Sequence, residues 1–227
     1  MTTDFLTAFM GAFFIAFSTM VPVINPFSGA MLFCTMTQNV KHEDRSYMAR
    51  KIAIYGLIII LVCVFAGHLI LSFFGISVGV LRVAGGCVLF AAGWSALNAP
   101  SQEELQNDER TQVTYSRNKL KTMAFYPFTL PLTTGPGCIA VSVALGTSLP
   151  HDIPNILGTI TASIATTLVI WLCYEFSDRV NKAVGAAGAD ALARIMAFIL
   201  LCLGVSVFWQ GLSDLLSQVL LPLKGIQ

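Results

Sequence analysis

The residues able to do chemistry in this chain sit in two short stretches. Val21–Gly29 reads Val-Pro-Val-Ile-Asn-Pro-Phe-Ser-Gly, and Leu130–Gly137 reads Leu-Pro-Leu-Thr-Thr-Gly-Pro-Gly. Each lies inside a long apolar run, where proline, glycine and asparagine are out of place. Proline removes a backbone donor and clashes with the preceding turn, so two in close succession break a helix. Glycine adds freedom, and asparagine prefers turns and caps. In lipid, a broken helix is tolerated only where its freed N–H and C=O groups face protein or a water-filled cavity. A break also exposes chemistry. The N–H end of one half-helix is partly positive and suits a carboxylate, while the carbonyl end of the other suits an ammonium group or a cation. Two facing breaks can therefore hold a zwitterion with few charged side chains. Asn25, Ser28, Thr133 and Thr134 would add neutral hydrogen bonds. Pro26 and Pro136 make the breaks, and Gly29, Gly135 and Gly137 let backbone approach a ligand. A single break could equally be a kink that only shapes packing; paired breaks in two halves are the stronger pointer to a binding site.

The elements that must position these stretches are set by composition. Of 227 residues, 56% are hydrophobic and only 11% charged, against roughly a quarter charged in soluble domains. This is an integral membrane protein. The net charge is +1 and no basic cluster is interleaved with aromatics, which excludes a nucleic-acid surface. Six cysteines lie in apolar segments without CxxC spacing or a nearby histidine, and read as small buried hydrophobes. The chain opens Met-Thr-Thr-Asp without a basic flank, unlike a cleaved signal.

Charges divide the chain into six spans. Phe5–Val40 contains 36 residues without a charge. A straight helix of that length reaches about 54 Å, against roughly 30 Å of hydrocarbon, so a break is needed. The polar patch Lys41–Lys51 precedes a second span, Ile52–Phe74. Gly75-Ile76-Ser77 is a turn, and Val78–Leu97 is the third span. Asn98–Lys121 reads as an exposed connector. The fourth span, Thr122 to about Leu149, contains the second break. A turn at Pro150–Pro154 leads to the fifth span, Asn155–Tyr174. Glu175–Asp190 reads as a mixed loop before the sixth span, Ala191–Leu216. With the N-terminus outside, eleven Lys/Arg fall in the inner segments and one in the outer ones, Arg82 aside. That bias puts both termini on the periplasmic side and residues 98–121 in the cytoplasm.

The two halves also echo one another. Pro26 and Pro136 lie 110 residues apart, and Arg82 and Arg194 lie 112 apart. An odd number of spans per half makes the second copy inverted. The expected architecture is therefore all-α, an inverted 3+3 repeat with spans 1 and 4 interrupted. Residues 1–97 form the first repeat, 98–121 the connector and 122–227 the second repeat. Arg82 sits inside the third span against the charge bias, and an intramembrane ionisable residue is a candidate for carboxylate binding; the alternative is a side chain reaching the interface. Arg194 opens the sixth span, where snorkelling is ordinary. His68 could carry a proton but has no counterpart in the other half.

Asn25-Pro26, Gly75-Ile76-Ser77 with Leu81-Arg82-Val83-Ala84-Gly85-Gly86, Pro131–Gly137 and Arg194–Gly204 together resemble the MarC family of bacterial inner-membrane proteins. The resemblance runs the length of the chain. One departure is Ala197, where the family motif implies glycine. The family is similar to LysE-type exporters and to neutral amino-acid carriers. It implies a secondary transporter of small neutral amino acids or similar metabolites, in a bacterial inner membrane, working by rocking one half against the other. Its partners would be a small-molecule substrate and the lipid bilayer. No cofactor is expected beyond a coupling Na+ or H+, and no oligomeric state is implied. A channel would also use broken helices, and a structural or signalling role would run through residues 98–121. An enzyme is not expected: there is no HExxH, no paired CxxC and no pair of intramembrane acids.

Overall fold

In the computed structural model the described residues are 2–37, 40–98, 116–150 and 152–224, and every regular element among them is helical. The elements are α1 (Thr2–Ile24), α2 (Pro26–Met36), α3 (His42–Phe73), α4 (Val78–Leu97), α5 (Arg117–Met123), an irregular wide-turn segment Ala124–Thr133, α6 (Pro136–Ser148), α7 (Ile153–Glu175) and α8 (Ser177–Lys224). Most of the expected connector, residues 99–115, lies outside the described residues.

Five stretches are long and apolar enough to cross a membrane: Asp4–Cys34, His42–Phe73, Val78–Ser95, Ile153–Glu175 and Ala197–Gln218. The bent pair Arg117–Thr133 and Pro136–Ser148 makes a sixth. Helix α3 shows why such helices suit lipid. Met48, Ile52, Gly56, Ile60, Val64 and Gly67 face the core. Ile54, Ile58, Val62, Phe65 and Leu69 form an exposed stripe on the same helix. A helix apolar on all faces has no side that prefers water. The interior, by contrast, holds small polar residues. Thr159, Ser163 and Thr167 of α7 are buried, and each hydroxyl donates to the carbonyl four residues earlier. Small residues of this kind let helices approach closely in lipid.

Two segments differ from the sequence reading. Lys41–Lys51 is not a separate polar patch: from His42 it forms the first turns of α3, with Glu43 and Asp44 at the partly positive helix start. The expected loop Glu175–Asp190 is helical from Ser177 onward, because α8 runs unbroken in backbone through 48 residues. Straight, that helix would reach about 72 Å, more than twice a hydrocarbon core. Yet Asp178 bonds Arg45 near the start of α3, and Arg194 bonds Leu97 at the end of α4. Both contacts lie at the end of the bundle away from the α3–α4 turn. The first part of α8 therefore crosses that end before the helix enters the bundle. The Gly75 turn stands as read, with φ of 68° at the glycine. Asp152 caps α7 by accepting from the Asn155 amide at 3.4 Å.

The two sequence halves interleave. α4 packs chiefly on α8, and α1 chiefly on α7. The α4–α8 seam is built from residues seven apart. Gly79, Gly86 and Gly93 on α4 face Gly211, Gly204 and Ala197 on α8, in antiparallel order. A Cβ on Gly86 would lie 2.7 Å from the Gly204 carbonyl oxygen, and one on Gly93 would lie 2.9 Å from the Ala197 carbonyl oxygen. The backbones themselves are in contact, so any larger side chain would push the helices apart. Ala197, the departure from the family motif, is the third small residue of this seam and is fully buried.

Candidate functional site

The first break is confined to one residue. α1 continues through Pro22 as far as Ile24. Asn25 then takes the left-handed conformation, φ 49° and ψ 63°, and Pro26 opens α2. Asparagine tolerates that region better than other side-chain-bearing residues. Asn25 also caps what it breaks. Its Oδ1 accepts from the Ser28 amide at 3.3 Å, and its carbonyl from the Gly29 amide at 3.0 Å. Pro26 has no N–H to offer the Pro22 carbonyl one turn earlier.

The second break is wider. Tyr126 and Leu130, each preceding a proline, have extended backbones, as such residues prefer. The chain bends by 67° before α6 begins. Hydroxyls take over part of the backbone bonding. Thr129, Thr133 and Thr134 donate to carbonyls five residues back, at 2.7–2.9 Å. α6 then starts at Pro136 with no side-chain cap from Gly135. The first amide to find a helical acceptor is that of Ile139, bonded to the Gly135 carbonyl at 3.1 Å. The amides of Gly137 and Cys138 lie ahead of it.

Both breaks line one cavity of about 430 Å³. Val23, Ile24 and Asn25 contribute the end of α1, and Ser28 and Gly29 the start of α2. Thr133, Gly135, Pro136, Gly137 and Cys138 contribute the second break. Leu89 of α4 and Leu200 of α8 form the back wall. The outer wall includes Leu32 and Val88, 38% and 39% exposed, so the cavity reaches the bundle surface between α2 and α4. Among the described residues, no charged side chain lines it.

Of the sequence candidates, Asn25, Ser28, Gly29, Thr133, Gly135, Pro136 and Gly137 are cavity residues. Pro26 adjoins the cavity as the first residue of α2. Thr134 is fully buried and bonds the Thr129 carbonyl, outside the lining. The two arginines lie elsewhere. Arg82 pairs with Asp214 of α8 at 2.5 Å and donates to Ser148 Oγ at the end of α6. Arg194 donates to the Leu97 carbonyl at 3.1 Å, at the open C-terminal end of α4. Each arginine thus ties α4 to α8, one near either end of the seam. His68 is exposed on α3, away from the cavity.

Sequence reasoning missed the residues behind the cavity. Tyr174, 2% exposed, shares a 2.8 Å hydrogen bond with Thr133 on the second break. Its hydroxyl also fills the space that a Cβ on Gly29 would take, so it touches the first break as well. One turn along α2 from Gly29, Phe33 stacks on Tyr174 with centroids 5.1 Å apart and meets Phe128 edge-on at 5.1 Å. Beyond this aromatic layer, Arg45 Nη1 reaches both Asp178 oxygens at 2.8 and 2.9 Å, and Nη2 donates to Ser177 at 3.1 Å. Cys34 donates to Asp178 at 3.3 Å. Burial opposes the charge on Asp178, but the Arg45 hydrogen bonds and charge outweigh it and hold the carboxyl below its usual range. Tyr174 and Asp178 lie four residues apart on either side of the turn at Phe176 that separates α7 from α8. Their partners lie 41 and 133 residues away.

Similarity to known proteins agrees with this picture. A profile described as MarC family integral membrane protein matches residues 10–216. A UPF0056 inner membrane protein MarC of Salmonella typhimurium is 28% identical over 204 residues, covering 87% of this chain and 92% of the relative. The corresponding protein of Citrobacter koseri is 27% identical over the same length. A UPF0056 membrane protein of Archaeoglobus fulgidus is 26% identical over 209 residues, covering 92% of this chain and 96% of the relative. No solved structure matches.

Proposed function

We propose that this chain, which belongs to the MarC family of integral membrane proteins, is a secondary carrier for small neutral amino acids or similar zwitterionic metabolites. One observation carries the reading: two helix breaks, more than a hundred residues apart in sequence, line a single cavity without a charged side chain. The free amides of Gly137 and Cys138 at the start of α6 suit a carboxylate, reinforced by the helix dipole. The last carbonyls of α1, around Val23 and Ile24, suit an ammonium group. Asn25 already satisfies the start of α2, so α6 rather than α2 takes the anionic end. The apolar walls from Leu89 and Leu200 accept an uncharged side chain, and an unpaired charge there would be costly. The antiparallel α4–α8 pair and the shared cavity support an inverted 3+3 arrangement.

Alternating access needs two closures. At the end of the bundle where α3 begins, the layer of Phe33, Phe128 and Tyr174, backed by Arg45–Asp178, is the closed side of this conformation. The distribution of Lys and Arg supports a cytoplasmic position for that side. Carrier exchange would open it while the opposite face shuts. The transport reaction is tested in proteoliposomes loaded with unlabelled alanine, glycine or serine. Uptake of the labelled amino acid by counterflow is expected, with Na+ and proton gradients applied in separate arms to identify coupling. Gradient-independent flux without counterflow would point to a channel. Exchange unchanged in an Asn25→Ala, Gly137→Val double variant would remove the cavity from the mechanism.

A further inference from the structure

We infer that the chain carries a binding site for an anionic phospholipid of the cytoplasmic leaflet, on the face formed by α3 and α7. Two depressions meet there at Arg50. The first, about 350 Å³, is lined by His42, Glu43, Ser46, Tyr47, Arg50 and Arg117. The second, about 330 Å³, is apolar and runs along the membrane-facing groove between Ala53, Ile54 and Leu57 of α3 and Ile164, Leu168 and Trp171 of α7. Arg50 lines both, so a polar pocket at the bundle end continues into an apolar channel. This is the shape of a lipid: charged head group, then acyl chain.

Charge selects the head group. Arg45 and Arg82 each have an aspartate partner. Arg50 and Arg117 have no carboxylate within ion-pair distance among the described residues. Arg50 reaches only Ser46 Oγ, at 3.2 Å, and Arg117 lies over the Tyr47 ring at 4.5 Å. Lys51 flanks the same ring from 5.9 Å. Glu43 is the single acid in the pocket lining, so the pocket is net positive. Trp171, in the groove, has a buried indole N–H without a partner among the described residues. A phosphodiester bridging Arg50 and Arg117 would, together with Glu43, balance the charge of the pocket, and its chain would cover the exposed Ile54, Ile164 and Leu168. Basic pockets between helices on the cytoplasmic side suit anionic head groups.

The site is independent of transport and is tested on the full-length protein in detergent. Lipid retained through purification is extracted and counted, and thermal unfolding is followed with added phosphatidylglycerol or phosphatidylcholine of identical chains. Phosphatidylglycerol should be retained in excess over its share of the membrane and raise the unfolding temperature more than phosphatidylcholine. Each arginine is worth about five-fold in affinity, so Arg50→Gln with Arg117→Gln should weaken phosphatidylglycerol on the order of 25-fold. Ala53→Trp, which fills the groove and leaves the arginines, should block retention without touching the charge. Equal response to both lipids in the wild type overturns the site, and this needs no variant to fold. An equal shift from inorganic phosphate also overturns it, since the acyl groove would then be unused.

Discussion

The two breaks solve the same problem in opposite ways. The first interrupts its helix at one residue and seals the cut at once: Asn25 supplies the left-handed backbone and both acceptors, and Asp4–Cys34 still reads as one span. The second spreads over ten residues, bends by 67°, and leaves α6 without a cap. A capped break is a joint; an uncapped one is a binding surface. In the proposed carrier, that difference would give the ligand's anionic group to the second break and a shaping role to the first, with Tyr174 touching both.

The sharpest way to break that contrast is at Gly137. Gly137→Val places a side chain against Leu89 and over the free amides. Hydrogen bonds to a charged group are worth about 1.5–3 kcal/mol. Exchange in proteoliposomes should fall by about 10- to 100-fold while the protein remains monodisperse. At the first break the expected loss is in stability. Asn25→Ala forfeits the cap and puts at φ 49° a residue without the side-chain amide that eases the left-handed region for asparagine, together about 2–3 kcal/mol. Asn25→Gly keeps the backbone and should cost only a few tenths. Denaturation in detergent should rank wild type, glycine, alanine; equal loss in both variants would mean that the left-handed turn does not matter. Tyr174→Phe removes the hydroxyl linking the two breaks and should cost about 1 kcal/mol, with exchange altered several-fold.

The smallest expected effect is at Asp178. Its depressed carboxyl stabilises the fold at pH above the ordinary value of 3.8, and the contribution is lost as pH falls below that toward the native value. The side chain is 41% exposed, so the stabilisation is about 1 kcal/mol or less. The unfolding-temperature difference between wild type and Asp178→Asn should be present at pH 6 and shrink as the pH falls below 3.8.

Much of this was legible in the residues. Asn25 and Pro26 located the first break, because their backbone limits act locally, while Pro22 was absorbed within α1. Gly75 located its turn for the same reason. The 67° bend was not legible: Pro131 and Pro136 announce a break, but its angle depends on what α3 and α4 leave free. The continuous helix through Ser177–Asp190 was misread because scattered charges and glycines look like a loop, while α8 runs on as helix across the bundle end. Arg82 and Arg194 were read as cavity residues, yet both act on the α4–α8 contact. A charge in an apolar span announces a partner, and only the fold reveals that the partner is Asp214.

The glycines spaced by seven have a mechanical meaning. α4 closes the first half of the chain and α8 closes the second, and they touch backbone to backbone along three successive contacts with an arginine clasp near each extremity. Such a pair turns as one beam. In the proposed carrier cycle, rocking the first and last hundred residues against each other would have to part this pair along its length. The rigid frame is shared between the two sequence halves, and a pivoting unit that spares it would draw on both.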